Sequence, residues 1–339
     1  MRRASPVNFV YGLVLLLAVA LVGGARAAEK PAPPGPQLKD ILSAVVELSA
    51  LVPAEARTAR SLGLERNGNG VVIDHDGLIL TIGYLILEAN SVTVTQADGR
   101  VVPAEVVAYD HDTGFGLVRA RQALGVTPLR LGRSLDLAAG DPVLVIGHGG
   151  ATGVTAARVA SRRPFAGYWE YLLERAIFTT PPHLNWGGAA LVGPEGRLLG
   201  IGSLMVNDAR QGEAAQPGNM FVPIDLLQPI FGELLASGHS GTPPRPWLGV
   251  ITVAREGRIA VARVSPQGPA ATAGVHRGDM VLAVAGRPVA TLSQLFRALW
   301  GLGRSGVEVP LTLLRHGQVL DLVVVSGDRR DYLKTRTSH

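Results

Sequence analysis

Short β-rich runs, separated by glycine, proline and Asp-Gly turn signals, follow one another from residue 44 to residue 223. Many short strands with such turn signals favour a barrel or a sandwich over repeated βαβ units. We therefore expect a mostly β domain over this stretch. The predicted strands are 44–48, 71–73, 78–81, 91–95, 105–109, 116–119, 142–146, 153–160, 176–179, 198–204 and 220–223.

The β-rich region is followed by a helical pattern, a linker and a second, smaller domain. Residues 224–236 carry apolar side chains at helical spacing and are predicted to close the β domain as a helix. Residues 237–246 are rich in Gly, Ser and Pro, which is typical of a linker. The chain of 339 residues has the length of about two domains. We therefore place a second domain at 247–327 and a C-terminal tail at 328–339.

The first 27 residues have the pattern of a Sec-type signal peptide. Two arginines precede a largely apolar stretch over 10–22, which is short for a membrane span. An A-x-A cleavage motif then ends at Ala27. We expect a periplasmic mature chain that begins with a Pro-rich linker over 28–37. The alternative is an uncleaved leader that anchors the protein in the inner membrane, facing the periplasm.

Charge and cysteine content narrow the possible partners. The formal net charge is +5, but residues 1–27 hold three arginines and no acid, so the remainder has 29 basic and 27 acidic residues, or +2. This balance argues against a nucleic-acid partner. The absence of cysteine excludes disulfides, catalytic thiols and cysteine metal ligands. We predict no cofactor, and contact with a membrane only through an uncleaved leader.

Three sequence blocks lie within the predicted β domain: NGNGVVIDHDGLILTIGYLI at 67–86, YDHDTGFGLV at 109–118 and NWGGAALV at 185–192. They resemble the motif blocks of the HtrA/Deg family of trypsin-like serine proteases, G-x-G-V-V-I-D-x-x-G-x-I-L-T-N-x-H-V-V, D-x-x-T-D-L-A-L-L and G-N-S-G-G-P-L-V. The resemblance implies a chymotrypsin/trypsin-like double β-barrel over 38–236. The family's active site would lie between its two six-stranded barrels.

Other residues occupy the catalytic positions of these blocks. The family's catalytic His aligns with Tyr84, and the Asp that orients it aligns with Gly114. The nucleophilic Ser aligns with Gly187 when the third block is counted back without a gap from 190–192. It aligns with Trp186 when the two glycines of the block are matched. All three replacements are at catalytic-triad positions, while the surrounding residues of the blocks still match the family pattern.

Each replacement removes one part of the catalytic triad. A Ser hydroxyl needs an adjacent base, and that base needs a partner that orients it. A phenol titrates near about 10, so Tyr84 is a poor base at neutral pH, and Gly114 has no side chain. Neither Trp186 nor Gly187 can attack a carbonyl. We therefore interpret the chain as a pseudoprotease that works by binding. Tyr84 and Trp186 either fill the former cleft or are ordinary packing aromatics.

The second domain resembles the PDZ domain that follows HtrA protease domains. The resemblance rests on WLGV at 247–250 and VSPQGPAATAGVHRGD at 264–279. It implies an α+β domain that binds an extended C-terminal peptide as an added strand, with main-chain amides holding the peptide carboxylate. Leu295 and Leu299 share a helix face and line a side-chain pocket or simply pack in the core. The predicted peptide-binding residues are Trp247, Leu248, Gly249, Val250, Ile251, Leu295 and Leu299.

Two other constellations are weaker. The first is a metal site built from loop histidines and nearby aspartates, for which no two histidines have a tight metal-motif spacing. The candidates for that site are His75, His111, His148, His183, Asp110 and Asp112. The second is a relocated nucleophile paired with His183, and the candidate hydroxyls are Thr179, Thr180 and Ser203. Neither constellation has the support of a sequence motif.

Three functional hypotheses follow. The first is a binding or adaptor protein of the cell envelope whose partners are extended or C-terminal peptides of unfolded or envelope proteins. The second is a regulatory subunit of an active HtrA-type protease. The third is an active hydrolase with a rebuilt catalytic site, and its cleavage would be abolished by mutation of Thr180 or His183.

Overall fold

The structure, a computed structural model, describes residues 37–212 and 215–333. The predicted signal peptide, residues 28–36 of the Pro-rich linker and residues 334–339 of the C-terminal tail lie outside the described residues. Within the described ranges, no helix is long and apolar enough to cross a membrane. The chain is mostly β: two six-stranded barrels are followed by a smaller domain with a sheet and helices. The predicted fold class is therefore confirmed.

The first barrel follows helix α1 (Leu38–Ala44) and is formed by antiparallel strands, with the short helix α2 (Ala59–Leu62) between the first two. Its strands are β1 (Val45–Leu51), β2 (Glu65–Val72), β3 (Leu78–Ile82), β4 (Ser91–Thr95), β5 (Val101–Tyr109) and β6 (Phe115–Ala120). They close in the order β1-β2-β3-β6-β5-β4. Alternate residues Val46, Leu48 and Ala50 of β1 are fully buried, as the two-residue period of a strand requires.

The second barrel has the same number of strands. They are β7 (Pro142–Ile146), β8 (Val154–Gly167), β9 (Tyr171–Thr180), β10 (Ala190–Val192), β11 (Leu198–Arg210) and β12 (Gln216–Pro223). They close in the order β10-β11-β12-β9-β8-β7. Strands β8 and β9 pair up to Gly167 and Tyr171, which makes them longer than the predicted runs. We call the turn that joins them, residues 167–171, the hairpin tip.

The predicted helix over 224–236 is wrong in its first half. Residues Ile224–Leu226 form a single 3₁₀ turn, and helix α3 (Phe231–Ser237) begins only afterwards. Pro229 lies between the two segments. A proline has no N–H to donate and disfavours helical backbone at the residue before it. Pro229 is therefore a local sequence signal for the break between the 3₁₀ turn and helix α3.

The C-terminal domain is an antiparallel sheet packed with short helices. The strands are β13 (Val250–Arg255), β14 (Arg258–Val264), β15 (Met280–Val284), β16 (Arg287–Pro288), β17 (Glu308–Arg315) and β18 (Gln318–Val325). The helices are α4 (Pro269–Thr272), α5 (Leu292–Trp300) and α6 (Arg329–Tyr332). The strand order is β13-β14-β15-β17-β18, with the two-residue β16 beside β15, so β13 stands at one end of the sheet.

The β8–β9 hairpin joins the second barrel to the C-terminal domain. Leu172 of β9 belongs to the buried apolar cluster of the C-terminal domain, not to the clusters of the barrels. Glu174 of β9 forms a bidentate ion pair with Arg297 of α5, with N–O distances of 3.0 and 2.5 Å. Arg245 and Asp112 form a second ion pair at this junction, 3.1 Å apart. The two parts of the chain therefore share apolar and charged contacts.

Candidate functional sites

Tyr84 and Gly187 face each other between the two barrels. Tyr84 lies in the 3₁₀ turn Gly83–Leu85 that follows β3, and its hydroxyl donates a hydrogen bond to the Ser203 carbonyl oxygen at 2.9 Å. A Cβ placed on Gly187 would lie 2.8 Å from the Tyr84 phenol oxygen. The phenol therefore occupies the space into which a side chain at position 187 would project. The structure brings together the residues that align with the family's His and, in the gap-free count, with its Ser.

The Tyr84 phenol is a hydrogen-bond donor rather than a base. Burial raises the pKa of this phenol well above its usual range, and a hydrogen bond with Trp186 opposes the shift. The side chain therefore stays neutral and protonated at physiological pH. The side chain of Trp186 is half-buried, and its carbonyl oxygen accepts the Ala189 N–H at 3.1 Å.

Gly114 lies beside the same turn, and a tyrosine fills the adjacent space. The carbonyl oxygen of Gly114 accepts the Gly83 N–H at 2.7 Å. A Cβ on Gly114 would lie 3.2 Å from the hydroxyl of Tyr171, which donates to the Thr113 carbonyl at 2.6 Å. The φ of Gly114 is +82°, a conformation that residues with a Cβ rarely adopt. An aspartate at this position would therefore be disfavoured both by the positive φ of the backbone and by close contact with the Tyr171 hydroxyl.

Asn69 of β2 holds the 185–188 loop in place. Its side chain is fully buried and donates to the carbonyl oxygens of Asn185 and Gly187, both at 2.9 Å. Its amide oxygen accepts the His148 N–H at 2.7 Å, and its own backbone N–H donates to the Gly187 carbonyl at 2.7 Å. One side chain thus ties three segments of the two barrels together. The sequence reasoning missed this role because the partners are far apart in the chain.

His183 pairs with a hydroxyl that the sequence reasoning did not consider. Its Nδ1 lies 2.8 Å from Thr155 Oγ1, while its Nε2 is buried without a hydrogen-bond partner in the described structure. Burial lowers the pKa of His183, so the ring favours the neutral form. The hydroxyl of Thr180 instead donates to the Pro217 carbonyl at 3.1 Å. Thr180 is therefore not the residue hydrogen-bonded to this imidazole.

The candidate metal residues do not converge. Within residues 37–212 and 215–333, no group of three or more His, Asp or Glu side chains could hold a metal ion. His148 Nδ1 lies 3.8 Å from a Glu47 carboxylate oxygen. His111 packs edge-on against the Tyr109 ring at a centroid distance of 4.4 Å. His75 is in an exposed loop. The described residues therefore do not form the cluster that the metal hypothesis requires.

The backbone N–H groups of the predicted carboxylate-binding loop converge on a carboxylate. The N–H groups of Leu248, Gly249 and Val250 donate to the Glu170 carboxylate at 2.9, 2.8 and 2.9 Å. Glu170 belongs to the hairpin tip and is 6% exposed. The ring of Trp247 instead packs against that of Tyr332, with the ring centroids 4.8 Å apart. Three consecutive N–H groups around one carboxylate are the geometry of an anion site.

The two predicted pocket leucines lie at this same place. Leu295 and Leu299 of α5 are 2% and 1% exposed, and they share an apolar cluster with Leu248, Val250 and Leu172. Ile251 of β13 is half-buried. The sequence reasoning therefore named the loop and the helix face but missed the hairpin-tip residues beside them. No local sequence signal points to Glu170, because its partners are 78–80 residues away.

Comparison with known proteins assigns a class to both regions. Residues 68–201 match the trypsin-like peptidase domain, and residues 246–325 match the PDZ domain. A double β-barrel followed by a PDZ domain defines the class of the HtrA-type proteases. The chain is 31% identical over 307 residues to the putative serine protease HhoA of Synechocystis, of which it covers 74%. The chain belongs to the HtrA family.

Other relatives are longer than this chain. It is 30% identical to a probable periplasmic serine endoprotease of Halomonas elongata that is called DegP-like, and it spans only 57% of that protein. It spans 64% of the serine protease PepD of Mycobacterium tuberculosis, with 29% identity. Among solved structures, the HtrA-type protease AlgW with decapeptide superposes with a TM-score of 0.52 at 22% identity, covering 87% of this chain and 99% of the other. That likeness supports the fold.

Proposed function

We propose that this protein is an HtrA-type pseudoprotease of the cell envelope that acts by binding peptides. In this proposal Tyr84, Gly114 and Gly187 stand at the positions of the family's His, Asp and Ser. The single observation that carries the proposal is the contact between Tyr84 and Gly187, since a phenol fills the place that a nucleophile would need. The relatives are named serine proteases, so the proposal assigns to this chain the loss of an activity that those names state.

The binding function rests on the PDZ domain. Residues 246–325 match this domain, and the N–H groups of 248–250 already surround a carboxylate. A peptide C-terminus supplies a carboxylate of the same kind, and strand β13 stands at the end of the sheet where a peptide strand would be added. We assign the 247–251 loop and strand, with Leu295 and Leu299, as the peptide-binding site.

Localisation and process extend the same proposal. The leader over 1–27 supports export to the periplasm, with membrane anchoring by an uncleaved leader as the alternative. In that compartment the chain would serve as an adaptor in protein quality control. A second candidate is a regulatory subunit of an active HtrA-type protease, which predicts stable co-purification with such an enzyme.

A third candidate, a rebuilt hydrolase, is favoured by one observation, the Thr155–His183 hydrogen bond. A hydroxyl next to an imidazole is the arrangement that activates a nucleophile. This candidate uses Thr155 in place of the Thr180 that the sequence indicated, because Thr180 bonds to a carbonyl elsewhere.

Degradation of unfolded casein by the purified chain from Ala28 onward separates the rebuilt hydrolase from the two binding candidates. Wild type would run beside Thr155→Val, His183→Ala and an active trypsin. We expect intact casein in every lane except that of trypsin. Cleavage by wild type that disappears in either variant would contradict the pseudoprotease and establish the rebuilt site.

A further inference from the structure

The hairpin tip of the second barrel occupies the PDZ peptide site in the way that a C-terminal peptide would. A peptide of this kind supplies three things: a carboxylate for the loop amides, a main-chain pairing with the edge strand and an apolar side chain for the pocket. The hairpin tip and the first residues of β9 supply all three from within the chain.

The carboxylate comes from Glu170. Both of its oxygens accept backbone N–H groups of the 248–250 loop, at 2.8 to 2.9 Å. Hydrogen bonds to an ionised acceptor are about twice as strong as neutral ones. Glu170 itself has a φ of +58°, a left-handed conformation that a residue with a Cβ adopts only at a cost in free energy. The turn is thus held in an unfavourable backbone conformation that aims this side chain at the loop.

The main-chain pairing comes from Tyr168. Its carbonyl oxygen accepts the Thr252 N–H of β13 at 2.9 Å. The opposite side of β13 pairs with β14, so this bond lies on the free edge, where a peptide strand is added. The neighbouring Trp169 carbonyl accepts a hydrogen bond from the Arg329 side chain at 3.2 Å.

The apolar side chain comes from Leu172. It is 6% exposed and lies in the cluster that contains Leu295 and Leu299 of α5. Arg297, on the same helix, holds the hairpin from outside through its ion pair with Glu174. Both partners of that pair are exposed, so it contributes little to the free energy of docking.

We propose that the hairpin tip is an internal ligand of the PDZ domain, and that peptides ending in a free carboxylate with a leucine-like last residue bind by displacing it. This inference rests on the proposed peptide-binding function. Burying a carboxylate costs free energy, and burial raises the pKa of Glu170 against the effect of its backbone hydrogen bonds. That cost offsets part of the gain from docking. It leaves the tip displaceable by a ligand that makes the same bonds.

The test compares the chain from Ala28 onward with its Glu170→Gln variant and with Glu195→Gln, which alters an exposed glutamate with the same charge change. The first readout is hydrogen exchange at the amides of Leu248, Gly249 and Val250. We expect exchange at least tenfold faster in Glu170→Gln and unchanged exchange in Glu195→Gln. Equal exchange in wild type and Glu170→Gln would overturn the internal ligand, and this readout needs no external peptide.

The second readout is fluorescence anisotropy with a labelled decapeptide that ends in leucine, used with a free carboxylate and as the C-terminal amide. When the hairpin tip occupies the groove in most molecules, the apparent affinity for a peptide falls in proportion to the fraction of molecules whose groove is open. The free-carboxylate peptide should therefore bind Glu170→Gln at least tenfold more tightly than wild type. Equal affinities would overturn the internal ligand. Binding of the amide equal to that of the acid would instead contradict the proposed PDZ function.

Discussion

The cleft between the barrels and the groove of the PDZ domain are both filled by the protein's own tyrosine, glutamate and leucine side chains, but they differ in what remains beneath. In the cleft, Tyr84 stands against Gly187, and in our proposal the residues at the catalytic positions include no nucleophile. In the groove, the amides and leucines that we assign to peptide binding contact Glu170 and Leu172 of the hairpin. The proposed function implies that emptying the cleft would restore no catalysis, whereas emptying the groove would expose a peptide-binding site.

The comparison also separates a fixed region from a displaceable one. Around the cleft, Asn69 joins the 185–188 loop to β2 and to His148 through buried hydrogen bonds. Breaking such a network leaves buried polar groups unpaired, at about 1–3 kcal/mol each. In the groove, the contacts come from a hairpin tip whose hydrogen bonds, in our proposal, a peptide replaces. We therefore expect mutations to act on folding in the first region and on binding in the second.

The largest expected effect is at Gly188, in the rigid part of the cleft. Its φ is +75°, and a Cβ there would overlap the Asn69 carbonyl oxygen. Gly188→Ala should therefore lower the free energy of unfolding by the left-handed cost of about 1–2 kcal/mol and an overpacking cost of about 1–3 kcal/mol. Gly140→Ala is the matched control, because Gly140 also has positive φ, +97°, but open space around it. Equal losses in urea unfolding would contradict the tight packing of the 185–188 loop.

The second effect is on the pH dependence of stability and concerns the junction beside the groove. Burial, and to a smaller extent the positive charges of Arg329 and Arg330, hold the pKa of His111 well below its usual range. The unfolded chain takes up this proton below about pH 6.5, while the folded chain does not. Stability is therefore full above that pH and falls as the pH drops toward the folded pKa, by about 1.4 kcal/mol per pH unit.

His111→Gln should remove this contribution, which urea titrations between pH 7 and pH 5 would measure. His75→Gln, in an exposed loop, serves as the control and should keep the wild-type slope. If His111→Gln keeps that slope as well, the imidazole is already protonated in the folded chain, and the junction is less closed than described.

The smallest effect is the removal of the Tyr84 hydroxyl. Tyr84→Phe deletes the hydrogen bond to the Ser203 carbonyl, so thermal unfolding should report a loss of about 1 kcal/mol. Tyr168→Phe, whose side chain is 55% exposed, should stay within about 0.5 kcal/mol of wild type. An unchanged stability in Tyr84→Phe would mean that the phenol only rests in the cleft and does not close it.

The sequence predicted the folds of the domains better than it predicted the side-chain contacts that fill the cleft and the groove. The short strands and turns follow from local sequence patterns, whereas the two barrels and the PDZ domain were implied by the resemblance of the motif blocks to the HtrA/Deg family. The roles of Asn69, Thr155 and Glu170 depend on partners 28 to 118 residues away, and an isolated polar residue gives no hint of them. Pro229 is the opposite case, since its helix-breaking signal is local and was available.

The central claim is that no residue of the cleft acts as a nucleophile, and covalent labelling tests it most directly. The chain from Ala28 onward would be incubated with a fluorophosphonate, with trypsin in parallel, and the intact mass of each protein measured. The account predicts an unmodified mass for this chain while trypsin is labelled to completion. A single adduct that maps to Thr155, and that is lost in His183→Ala, would contradict it.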